Sequence, residues 1–182
     1  MLGSAVRNPH SAFRSLLAGA DRRSQAQSAR ALALVRKDRA RIRSLVALTS
    51  DEDWLVSMRA LDLIEKLAHE HPDWIAPHKR VFIGPLADSD KWEIRLQIVR
   101  ALPLFEWTAT ERRRVVSILK RDVEYDQTFV KAWALDSLAT FALANPKLRP
   151  IVRRHLRSFE RSGSKALVAR ARHIRARLIS HV

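Results

Sequence analysis

The chain has 182 residues, a net charge of +15, no cysteine, and hydrophobic side chains at 47% of its positions. That length is typical of one domain, and that apolar content can bury a core, so disorder is not the default for the whole chain. Without cysteine there is no disulfide framework, no thiolate zinc site and no thiol nucleophile.

No apolar run approaches the roughly 20 residues a membrane span requires, and no secretory hydrophobic segment follows Met1. The expectation is a cytoplasmic protein without a membrane span. Ala, Leu and Arg are abundant while Gly occurs four times. Unbranched side chains lose little rotamer freedom in a helix, so this balance predicts an all-α chain. The charge is uneven: residues 1–50 carry a net +8, residues 51–146 a net −3, and residues 147–182 a net +10. A nucleic-acid groove along the whole chain would be basic throughout, and this distribution argues against one.

Residues 1–20 contain Arg7, Arg14, several Ser and Ala, and no acid before Asp21. This composition also suits a transit peptide. The reading adopted is a loosely ordered segment leading into a short helix near Ala12–Ala18. Residues 21–182 are expected to form a single repeat domain. A degenerate helix, Ser24 to Val35, begins it as a cap, and Ile42, Leu45, Val46 and Leu48 mark the next.

Four stretches then align at Val56, Ile94, Val130 and Leu167, at spacings of 38, 36 and 37. Four residues later come Ala60, Ile98, Ala134 and Ala171, and eleven later Leu67, Phe105, Phe141 and Leu178. These offsets trace one stripe of an α-helix. Turn and capping residues precede each stretch: Asp51 or Asp53, Asp88 or Asp90, Asp126, and Gly163-Ser164. A second helical pattern lies between them. Ile75, Val81, Phe82 and Leu86 form one that Pro77 and Pro85 shorten or bend. Thr110–Lys120 form another, and Leu148 to Phe159 the last.

A two-helix unit of this size cannot bury its own apolar face, and stacked neighbours supply one continuous core. With Asp90 before Ile94-Arg95, and Asp126 before Val130-Lys131, the chain resembles the HEAT-repeat family. Ser57 and Val168 depart from the basic position of that pattern. The resemblance covers about residues 21–180. It implies a right-handed α-solenoid of about four to five antiparallel helix pairs, with the second helices on the concave side. It also implies a binding scaffold, not a particular partner.

Candidate contacts on that concave face are Arg59, Asp62, Lys66, Gln97, Arg100, Lys131 and Asp136. Their mixed charge suits a protein or peptide partner. A second candidate surface is the C-terminal basic cluster. Arg153, Arg157 and Arg161 share one helix face, Arg154 lies beside them, and Arg170, His173 and Arg177 form another stripe. Arg forks fit phosphate and carboxylate geometry, so this surface suits an anion or nucleic acid; alternatively it is a solvated end cap.

The five Trp (Trp54, Trp74, Trp92, Trp107 and Trp133) are expected to pack between helices with their N–H bonded to loops. Trp133 with Asp136, and Trp92 with Arg95, resemble loosely the aromatic and acidic set of HEAT-like alkylpurine DNA glycosylases. The HEAT-containing phycobilin lyases are a further enzyme comparison. His69, Glu70, His71, Asp73 and His78 cluster around Pro72, but two histidines two apart diverge on a helix end. Phosphate-loop, dinucleotide, serine-hydrolase and zinc-protease motifs are missing. The expectation is a non-catalytic chain with no metal and no cofactor.

Overall fold

The computed structural model describes residues 9–19, 21 and 23–180. It is all-helical, with no strand among these residues. The chain divides into two compact units, residues 1–81 and 82–182. The domain boundary expected after residue 20 therefore falls inside the first unit. Residues 1–8 of the expected loose segment lie outside the described residues.

The first unit contains α1 (Pro9–Leu17), α2 (Ser28–Lys37), α3 (Ile42–Leu48), α4 (Trp54–Glu70) and α5 (Pro72–Ile75). A 3-10 stretch, Ala76–Phe82, follows. The short helix expected near Ala12 is thus α1, and it buries Phe13 and Leu17. Helix α4 is the centre of this unit. Asp53 caps it by accepting the Leu55 N–H, and α1, α2, α3 and α5 all pack on it. It is buried on nearly every side, which is why its sequence is apolar beyond a single stripe. Two charged side chains are buried within it, Arg59 and Glu65, each 1% exposed. Pro72 and Pro77 confine the following helical pattern to one turn of α-helix and a 3-10 stretch.

The second unit contains α6 (Trp92–Ala101), α7 (Ala109–Asp122), α8 (Thr128–Ala144), α9 (Arg149–Glu160) and α10 (Lys165–Ile179). Helix α8 packs against α6, α7, α9 and α10. The Ser137 hydroxyl adds a 2.5 Å bond to the Val99 carbonyl of α6. Helix α7 starts with a capping box in which Thr108 and Glu111 satisfy each other's backbone N–H. Gly163 has a φ of 72°, the left-handed conformation that glycine adopts without penalty, and it turns the chain from α9 into α10. Ser164 then caps α10, as expected.

Two capping expectations are corrected. Gln127, not Asp126, caps α8, accepting the Phe129 N–H. Neither Asp88 nor Asp90 caps α6; Asp88 instead takes Arg114 and Arg121. A carboxylate facing two guanidiniums gains more than one at a helix start. Helix α6 also stops short of the expected stripe. Pro103 ends it, and Phe105 lies beyond in extended backbone.

Most of the aligned apolar positions lie in the core, but Phe141 and Leu178 are only partly buried. Val56, Ile94, Val130 and Leu167 are all buried, as are Ala60, Ile98, Ala134 and Ala171.

His155 in α9 is 5% exposed, and burial pushes its pKa below the ordinary value. Glu124 opposes that shift, while the Arg154 charge adds to it. Arg154 Nη2 lies 3.2 Å from His155 Nε2, and a Glu124 carboxylate oxygen lies 3.5 Å from the same nitrogen. On unfolding, the ring regains its ordinary pKa of about 6.5 and takes up a proton the folded chain refuses. Stability from this group is therefore complete above that pH and is lost as pH falls below it. His155→Gln should flatten the loss of stability between about pH 7 and 5, measured by urea unfolding. Identical slopes for parent and variant would refute the assignment.

Candidate functional site

The expected contact residues separate into three groups. Arg59 is internal to the first unit. Its Nη1 donates to the Leu17 carbonyl at 2.7 Å, its Nη2 to Asp21 at 2.6 Å and its Nε to Ser24 at 3.0 Å. A side chain with these partners and 1% exposure does not reach a ligand. Asp62 and Lys66 form an i, i+4 ion pair of 2.6 Å on α4, a pair of modest strength.

The second group comes together across α6, α8 and α10. Trp133 on α8 is partly exposed. The Arg170 guanidinium from α10 lies 3.9 Å from its ring centroid, and that of Arg100 from α6 lies 5.3 Å away. Both distances are within cation–π range. Asp136, one turn along α8, accepts from Arg170 at 2.6 Å and from Arg177 at 2.6 Å. Arg177 also donates to the Asp136 carbonyl. One buried carboxylate therefore orients two arginines, and one indole underlies two. Gln97 and Lys131 are half-buried on α6 and α8. The spacing placed Arg100, Asp136, Arg170 and Arg177 on second helices, but in separate sets; their convergence on Trp133 and Asp136 needed the fold.

The third group is the remainder of the basic cluster. Arg153, Arg154 and Arg157 are exposed on α9, Arg161 is exposed just after it, and His173 is exposed on α10. Arg154 approaches Glu124 at 3.6 Å, and Arg161 donates to the Arg157 carbonyl. The side chains of Arg153, Arg157 and His173 form no hydrogen bond or ion pair among the described residues. The basic stretch is thus part scaffold and part open surface.

The chemistry-bearing cluster around Pro72 is distributed among local contacts. Glu70 pairs with Arg36, whose guanidinium holds the carboxyl below its ordinary pKa. His69 bonds Glu65 at 2.9 Å, and His71 stacks on Trp74 at 4.1 Å. No group of three or more potential metal ligands occurs among the described residues. Trp107 is buried, with its Nε1 donating to the Leu102 carbonyl at 2.8 Å. No described helix is long and apolar enough to cross a membrane.

A buried ion network escaped the sequence reading. Asp122, at the end of α7, is fully buried and accepts from Arg95 at 2.6 Å and Arg121 at 2.8 Å. Arg121 and Arg114 continue to Asp88, and the Arg95 guanidinium lies 4.7 Å from the Tyr125 ring centroid. Arg95 and Asp122 are 27 residues apart, beyond any helical periodicity that would have signalled the pair.

No family model matches the chain, and no curated protein matches it. A crystal structure described as that of an engineered protein is similar, with a TM-score of 0.61 and 19% identity. The match covers 89% of this chain and 77% of that one. At this identity the likeness concerns fold alone.

Proposed function

We propose that this chain is a non-catalytic binding module of HEAT-like repeats that holds a protein or peptide partner on the face shared by α6, α8 and α10. The HEAT-like reading rests on the near-regular starts of α4, α6, α8 and α10 at residues 54, 92, 128 and 165. It is supported by the packing of α8 on both α6 and α10. In stacked helix pairs, alternate helices meet in this way.

The observation that carries the binding reading is Trp133, partly exposed beneath Arg100 and Arg170, with Asp136 fixing the latter. Trp and Arg dominate the energetics of protein interfaces. Side chains already held in place lose less entropy on binding.

A second reading, binding of a nucleic-acid backbone, is favoured by the open Arg153 and Arg157 on α9. One affinity capture separates the two. Trp133→Ala should weaken capture of a protein partner by about thirtyfold or more, the scale of an interface hot spot. Arg153→Glu with Arg157→Glu should leave that capture intact. Recovery of nucleic acid alone, lost with the α9 changes and steeply dependent on salt, would overturn the first reading and support the second.

A further inference from the structure

We propose that a cleft between the C-terminal part of α8, α9 and the C-terminal end of α10 is a binding site for a small anionic amphiphile. The ligand is an alkyl chain ending in a carboxylate or a like anion.

The cleft has a volume of about 510 Å³, within the range of small-ligand sites. Its apolar side comes from Val152 and Leu156 of α9 and from Leu178 and Ile179 of α10. Ile179 is 74% exposed, so apolar surface remains open to solvent beside the cleft. Three arginines line the same space: Arg149, Arg153 and Arg175. Among the described residues, no carboxylate side chain lines it.

The three guanidiniums differ in availability. Arg175 is held by both oxygens of Glu160, at 2.5 and 2.9 Å. Arg149 commits only its Nε, in a long 3.5 Å contact to the Ala142 carbonyl. Arg153 forms no hydrogen bond or ion pair among the described residues. Two guanidiniums therefore keep donors for an anion at the edge of an apolar floor. A neutral alkyl ligand would leave them unused, and a cationic one would be repelled. A fully hydrophilic anion would leave the floor wet. Charge and apolarity together select a ligand that carries both. The site is separate from the Trp133 face and does not depend on the reading given to that face.

The test is a titration of the full chain with octanoate, decanoate and dodecanoate below their micelle concentrations, with decanol and decylammonium as controls. Saturable binding is expected for the carboxylates, tightening about fourfold per added methylene until the floor is filled. Decylammonium should not bind. Arg153→Ala and Arg149→Ala should each weaken decanoate binding by about tenfold, as loss of a charge-assisted bond does. Ile179→Asp alters an exposed position, so the fold is spared, and it should abolish binding. Sedimentation with anionic lipid vesicles distinguishes a free ligand from a membrane-borne one. Absence of saturable decanoate binding would overturn the proposal, including when vesicles bind. Equal binding of decanoate, decanol and decylammonium, or indifference to Arg153→Ala, would overturn it as well.

Discussion

Arg59→Ala is expected to destabilise the first unit by about 3 kcal/mol, seen as a lowered urea midpoint, because one buried and two partly buried carbonyls lose a charged donor. The guanidinium gathers the carbonyls of Leu17, Asp21 and Ser24 from the segment between α1 and α2. The Asp21 carbonyl also accepts the Ser24 N–H at 3.2 Å, so it keeps one donor without the guanidinium. A buried polar group left without its partner costs about 1 to 3 kcal/mol, which applies to the buried bond to Leu17, while the partly buried bonds to Asp21 and Ser24 add less. The loss should be greatest locally, as faster amide exchange in α1, whose Phe13 and Leu17 depend on the same closure. Arg59→Lys should restore less than half of the stability. One ammonium has the charge but not the planar fork that reaches three directions. A shift below about 1 kcal/mol for Arg59→Ala would show that water replaces the guanidinium and would remove the clamp from the account.

Asp122→Ala is expected to cost the second unit about 3 to 5 kcal/mol, the scale of a buried pair broken from one side. Asp122 stands at the C-terminal end of α7, where an acid opposes the helix dipole. Its two arginine partners outweigh that. Arg95, with its side chain 11% exposed, would be left without its counter-charge. The double change Asp122→Ala with Arg95→Met should recover part of the loss, because removing both members removes the stranded cation. Strict additivity of the two single changes in calorimetry would show that the pair is not coupled.

These two sites mark where sequence reasoning stops. Arg59 and Gln97 occupy equivalent places in the repeat, three residues after Val56 and Ile94. Their periodicity is the same, yet Arg59 is sealed under the α1–α2 segment while Gln97 is half-buried. Nothing within one helical turn of Arg59 distinguishes the two. Its partners lie 35 to 42 residues away, in main-chain carbonyls that carry no side-chain signal. Asp136 illustrates the same limit. The spacing placed it on α8 as an exposed contact, whereas Arg170 and Arg177 from α10 bury and neutralise it. Trp133, expected to pack between helices, lies partly exposed beneath two guanidiniums. Arg149 and Arg175 drew no notice, because only the convergence of three helices makes them neighbours of one cleft.

The sequence by itself determined the all-helical class and the near-regular start of α4, α6, α8 and α10. It also determined the buried positions Val56, Ile94, Val130 and Leu167 with Ala60, Ile98, Ala134 and Ala171, and the concentration of positive charge after residue 146. Each of these follows from short-range chemistry: helix propensity, a 3.6-residue period, and local counts of charge. Only the tertiary structure decided which arginines are scaffold and which are surface. A guanidinium becomes structural when a carboxylate, a carbonyl or a ring from another element closes on it. That depends on distances across the fold, which no periodicity along the chain records.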